Sequence, residues 1–164
     1  MAIVKLYSDP RDAASHMVRL AMEEKELPAT IVDVDPEAPS PEFLKVNPTG
    51  EVPAIVDSDQ VLIDPIIIIE YLDERYPHPP LKPEMPIDRA YMRLAIRRIE
   101  RDFIPLFERL VRVRDPRRAR KDIQEYLAGM NASFAGRQWI VGDQYTLADI
   151  VMAPMLYRLE AYKV

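Results

Sequence analysis

Cysteine is absent from this chain of 164 residues. Its absence excludes disulfides, zinc–thiolate sites, thiol redox motifs and any cysteine nucleophile in one step. Histidine is scarce: only His16 and His78 occur, so no histidine-rich metal site is expected. No clustered acidic motif suggests a magnesium ion either. Long apolar runs are also missing. The longest aliphatic block, Ile66 to Ile69, is ended at once by Glu70, well short of the roughly 20 residues a membrane-spanning helix needs. The opening Met1-Ala2-Ile3-Val4-Lys5 has neither the apolar region nor the cleavage site of a secretory leader. There is no internal repeat and no low-complexity segment. The expectation is a soluble, cytoplasmic protein with no metal and no membrane partner.

What is present reads as globular. Apolar residues make up 48% of the chain and charged residues 30%, which leaves enough apolar surface for a packed core. The net charge of −5 hides an asymmetry. Residues 1–87 carry 7 basic and 17 acidic side chains, a net −10; residues 88–164 carry 15 and 10, a net +5. The change follows a proline-rich stretch, as expected at a boundary between two domains with different surfaces.

The first part alternates strands and helices. Ile3 to Tyr7 is a short apolar run suited to a buried strand, closed by the Asp9-Pro10 turn. From Ala13 to Glu26, Met17, Leu20, Ala21 and Glu24 recur at helical spacing, with Lys25 near the helix end. Thr30 to Val34 is β-branched and strand-like, and a short helical turn is expected around Phe43 and Leu44. A strand from Pro53 to Asp57 turns at Ser58 and Asp59 into a second strand through Leu62. Ile66 to Ile69 favours a strand by propensity. Asp64 as N-cap and Pro65 at the first helical position argue for a helix, which is the expectation adopted.

Tyr76-Pro77-His78-Pro79-Pro80-Leu81-Lys82-Pro83 reads as a stiff, extended linker. Beyond it Met92, Ala95, Ile99, Phe103, Leu106 and Leu110 form one helical stripe, which Pro105 should kink. Asp115-Pro116 opens a second helix carrying Ile123, Leu127, Met130 and Phe134. Thr146-Leu147-Ala148-Asp149 opens a third with the look of a capping box. The expected organisation is a small α/β domain over residues 1–76, a proline-rich linker over 77–87 and an all-helical domain over 88–164.

This order resembles the glutathione transferase superfamily: a thioredoxin-like N-terminal domain followed by a helical C-terminal domain. Leu6-Tyr7-Ser8 with Val18-Arg19 and Glu24-Lys25 is similar to that superfamily's first strand and helix. Asn47-Pro48, Gly50 and Val52-Pro53 resemble its turn, in which the Val-Pro bond is cis. Gly142-Asp143 and Thr146-x-x-Asp149 resemble its buried capping motif. Glu70-Tyr71-Leu72-Asp73-Glu74-Arg75-Tyr76-Pro77-His78-Pro79-Pro80-Leu81 is similar to the stringent starvation protein A signature, and Arg98-Ile99-Glu100-Arg101-Asp102 to that family's first long helix. The resemblance implies binding to RNA polymerase holoenzyme, sigma factor included, and altered transcription under stress. Family members continue with further helices where this chain stops, so a C-terminally short second domain is expected.

The resemblance also says where transferase chemistry would sit. A hydroxyl or thiol near the end of the first strand would stabilise the glutathione thiolate. Counting back from Val18-Arg19 places Asp12 there, and a carboxylate repels a thiolate. Ser8 and Ser15 are nearby substitutes, with Ser15 suited to an exposed helix face; Tyr7 fits a strand core. The superfamily's Glu-Ser pair at the third helix is replaced by Asp64-Pro65, which removes a hydroxyl and a backbone donor. Val52 would still offer its backbone to a glutathione-like peptide. The expectation is no catalytic residue and no cofactor, with Ser8, Asp12, Val52, Pro53, Asp64 and Pro65 as a vestigial glutathione site. A glutathione-binding protein or transferase, and a truncated or redesigned scaffold, remain the alternatives.

For partner binding the candidates are Pro77, His78, Pro79 and Pro80, flanked by Tyr76 and Lys82. A proline-rich segment is ordered before it binds, and His78 adds an aromatic, pH-sensitive tip. The bland alternative is a stiff linker with a solvent-facing histidine. Arg112, Arg114, Arg117, Arg118, Arg120 and Lys121 form a basic cluster without aromatic interleaving. That cluster reads as a solvated face, or one that pairs with the acidic domain of a second copy in a homodimer, and no direct nucleic-acid partner is expected. His16 is expected to be exposed on its helix, and Trp139 to anchor the core before the Gly142 turn.

Overall fold

A computed structural model describes residues 4–134 and 136–164, without the side chains of Ser133 and Phe134. The expected strand residue Ile3 and the packing of Phe134 therefore lie outside the described residues. The chain divides into two compact units, one ending at Pro80 and the other beginning at Leu81.

The first unit is a four-stranded sheet with helices. β1 (Val4–Ser8), β2 (Ala29–Asp33), β3 (Ala54–Asp57) and β4 (Gln60–Leu62) are ordered β2-β1-β3-β4. β1 runs parallel to β2, with Leu6 opposite Ile31, and antiparallel to β3, with Leu6 opposite Ile55. The parallel pair needs a crossover, and α1 (Ala13–Glu24) supplies it. Asp12 caps α1 through a side-chain bond from the Ser15 amide. α2 (Pro41–Val46) places Phe43 in a small core with Tyr7, Val34 and Ala54; the Tyr7 and Phe43 rings lie 4.9 Å apart.

α3 (Pro65–Arg75) is a helix, not the strand that four isoleucines favour by propensity. Asp64 accepts the Ile66 and Ile67 amides, while Ile68, Ile69 and Leu72 are buried completely. Capping and burial of one face, at about 1.5–3 kcal/mol for each buried aliphatic side chain, outweigh a local preference worth at most about 1 kcal/mol per residue. The Val52–Pro53 bond is cis, as the resemblance implied, and so is His78–Pro79.

In the second unit α4 (Pro86–Arg98) runs through a π-helical segment, Ile99–Phe103, into α5 (Ile104–Arg112). The wider turn takes the place of a simple kink: Pro105 has no amide to donate, and the Ile104 amide reaches back to the Ile99 carbonyl. α6 (Arg117–Phe134) follows, and α7 (Leu147–Leu159) is buried nearly all round, so it forms the middle of this unit. Its capping box is present. The Thr146 amide and hydroxyl donate to Asp149, and the Ile140 amide donates to the same carboxylate.

Three expectations are corrected. Ser15 is completely buried and accepts the Asp9 amide, because a hydroxyl there satisfies a donor that the β1–α1 turn takes out of water. His16 is half-buried, not exposed. Trp139 is half-buried and packs its ring edge against Tyr145, so it is no core anchor; α7 fills that centre instead.

Candidate partner-binding site

The Pro77–Pro80 segment is exposed and closes the first unit just after α3. Three of its four residues are prolines, so its backbone offers one amide, that of His78, and otherwise only acceptors. Tyr76 caps α3, its amide bonded to the Leu72 carbonyl. Tyr76, Pro77 and His78 line a hollow of about 390 Å³ together with Leu27, Asp57, Ser58 and Arg75. Pro79 and Pro80 are not among the lining residues, and Lys82 falls in the second unit, where it is half-buried.

The wall of the hollow is mixed, with Leu27, Tyr76 and Pro77 beside the charged Asp57 and Arg75. Asp57 is only 5% exposed, at the end of β3. Its carboxylate accepts the Tyr71 hydroxyl at 2.8 Å and lies 3.8 Å from the Arg75 guanidinium. Arg75 also stands over the Tyr76 ring, 5.4 Å from its centre. Burial, with the adjacent Asp57 anion, pushes the Tyr71 and Tyr76 phenols above their ordinary value, so both are neutral donors at physiological pH. This arrangement can present a cation and an aromatic ring to a docked peptide. Beneath the loop Lys25 is 3% exposed, and its ammonium donates to Asp73 and to the Pro79 carbonyl, each at 2.7 Å.

Sequence reasoning missed Lys25, Leu27, Asp57, Tyr71, Arg75 and their convergence. The one available signal was a lysine at the end of an apolar helix stripe. Its partner lies 48 residues away, and no local period reports that.

Three of the residues proposed for glutathione, Ser8, Asp12 and Asp64, make other bonds within the fold. Ser8 is completely buried and its hydroxyl accepts from Arg19. Asp12 and Asp64 cap α1 and α3. Asp9, next in the chain, is held by the Arg11 backbone and guanidinium. Burial raises its pKa, but the Arg11 bonds and the Arg11 and Arg19 charges outweigh that and hold the carboxyl below its ordinary value. Val52 keeps the cis turn, and Pro53 is buried behind it.

Four of the six residues of the basic cluster, and Arg109 beside them, form ion pairs within their own unit. Arg109 and Arg118 meet Asp122, Arg112 meets Glu108, Arg117 meets Asp115 and Lys121 meets Glu125. Among the described residues, no helix is long and apolar enough to cross a membrane, and no group of three potential metal ligands gathers.

Residues 13–75 match the family described as glutathione S-transferase, N-terminal domain, and residues 94–164 match glutathione S-transferase, C-terminal domain. A stringent starvation protein A homolog of Coxiella burnetii is 39% identical over 96% of this chain and 77% of the relative. Maleylacetoacetate isomerase of Pseudomonas aeruginosa is 34% identical over 98% of the chain and 84% of that enzyme. The crystal structure of glutathione transferase Omega 3C from Trametes versicolor superposes with a TM-score of 0.82, at 28% identity, over 94% of this chain and 72% of that one. The chain belongs to the glutathione S-transferase family and, within it, to the stringent starvation protein A homologues.

Proposed function

We propose that this protein is a cytoplasmic transcription regulator that binds RNA polymerase holoenzyme, sigma factor included, through the Pro77–Pro80 loop, without transferase catalysis. The observation that carries the reading is the exposed proline loop itself, whose His78 borders the hollow and whose Pro79 carbonyl is tied down by a buried lysine. A loop already held in place loses little entropy on docking. The relatives named stringent starvation protein A homolog support the same reading. The non-catalytic part is supported by the commitment of Ser8 to Arg19 and of Asp12 and Asp64 to helix caps.

A homodimer belongs to the same proposal. Ile87, Tyr91 and Leu94 recur at helical spacing on α4 and are each more than half exposed, as a face covered by a second copy would be. The −10 of residues 1–87 and +5 of residues 88–164 suit an association between copies.

A second reading, glutathione binding with isomerase or transferase activity, draws on the cis Val52–Pro53 turn and on the likeness to maleylacetoacetate isomerase. One experiment separates the two. Purified protein is passed over immobilised RNA polymerase holoenzyme and over glutathione resin, beside a Pro77→Ala/His78→Ala/Pro79→Ala variant. Polymerase retention lost in a folded variant supports docking through the loop. Retention on glutathione alone, with turnover, establishes the second reading in its place.

A further inference from the structure

The loop that carries the proposed function is almost unable to anchor itself. Pro77, Pro79 and Pro80 have no amide hydrogens, so no strand or helix ladder can hold them. An anchor for such a segment has to come from a donor elsewhere, directed at a carbonyl. Lys25 supplies one. Its side chain is 0% exposed, that of Asp73 is 4% exposed, and the ammonium bridges the Asp73 carboxylate and the Pro79 carbonyl, each at 2.7 Å.

Burying this ion pair costs desolvation, and apolar residues of like volume often serve stability as well or better. What an apolar pair cannot do is donate to Pro79. The ammonium also sits where three chain segments converge: the end of α1, the last turn of α3 and the loop. Leu27, two residues past Lys25, and Tyr76, three past Asp73, both line the hollow beside His78. The pair therefore joins the two walls of the hollow to the loop at its rim.

We propose that Lys25 and Asp73 are positioning residues for the docking loop: the buried ammonium holds the Pro79 carbonyl and so fixes the direction in which His78 is presented. Neither residue needs to touch the partner. The inference rests on the proposed function for its binding readout only; the readout of loop order stands by itself.

The test uses the full chain with Lys25→Met/Asp73→Leu, which removes both charges together and leaves no unpaired buried charge. The His78 amide, the sole amide between residues 77 and 80, is the probe. Its NMR order parameter should lie near that of rigid backbone, about 0.85, in the parent and fall below about 0.6 in the double variant. The midpoint of unfolding should change little. Retention by RNA polymerase holoenzyme should weaken about tenfold if the docking conformer falls to roughly a tenth of the population. If the double variant does not fold, Lys25→Gln/Asp73→Asn serves in its place, since the shorter amide cannot span both acceptors. An ordered His78 amide in a folded variant overturns the proposal, as does unchanged affinity for a polymerase that the parent binds. If the parent itself ignores polymerase while His78 loosens in the variant, the docking function falls and the positioning role stands.

Discussion

Changing Asp149 to alanine should unfold the helical unit at far lower denaturant than the parent needs. The carboxylate is 9% exposed and accepts three donors: the Thr146 amide at 2.8 Å, the Ile140 amide at 2.9 Å and the Thr146 hydroxyl at 3.2 Å. Thr146 is completely buried, so its two donors cannot turn to water when the carboxylate goes. Each buried donor left unmade costs about 1–3 kcal/mol. The half-buried Ile140 amide can recover part of its loss from solvent. Alanine returns about 0.5 kcal/mol of helix propensity. The net is a loss of about 3–5 kcal/mol, a large share of the 5–15 kcal/mol by which a domain is ordinarily stable. Urea unfolding followed by circular dichroism measures it, with Asp149→Asn as the control that keeps an acceptor and should lose roughly half as much. A loss below about 1 kcal/mol for Asp149→Ala would refute the reasoning, because the three bonds would then be replaceable by water.

Further outcomes follow from the same kind of accounting. Asp9 has a folded pKa below the ordinary 3.8, so its stabilisation is complete above that value and is lost as pH falls through the folded one; Asp9→Asn should flatten the acid limb of a stability-against-pH curve there and leave the slope above pH 5 unchanged. The Tyr71 phenol is held above the ordinary 10.0, first by burial and then by its bond to Asp57. Its contribution is complete below pH 10 and lost as pH rises through the folded value, so Tyr71→Phe should remove that alkaline step in a spectrophotometric titration. The same change should cost about 1–2 kcal/mol by leaving Asp57 without its closest donor. Asp64→Ala should cost about 1 kcal/mol through the lost cap of α3, with no gain in retention on glutathione resin, since Pro65 still lacks an amide to offer.

Much of this protein was legible one residue at a time. Alternating short strands and helices, the proline stretch and the helical stripes after it pointed to a small α/β domain followed by a helical one, and the resemblance implied its thioredoxin-like form. Asp64 and Pro65 outvoted four isoleucines, because a cap and a fixed φ act at a helix start whatever follows. Thr146 and Asp149 predicted their own box for the same reason: both partners lie within one turn.

What escaped was whatever depended on burial from a distance. Ser15 looked exposed because helical spacing does not say that a strand turn needs its hydroxyl, and Trp139 looked central because size suggests a core that α7 fills instead. The bridge from Lys25 to Asp73 and Pro79 joins positions 48 and 54 residues apart. Asp57, Arg75 and His78 likewise meet at one hollow from separate elements. The sequence by itself determined where helices begin and where backbone donors are missing, since those follow from covalent structure and near neighbours. Tertiary structure alone decided which charge is buried and which carbonyl it holds, because a hydrogen bond between residues so far apart in the chain forms only once packing has brought its ends together.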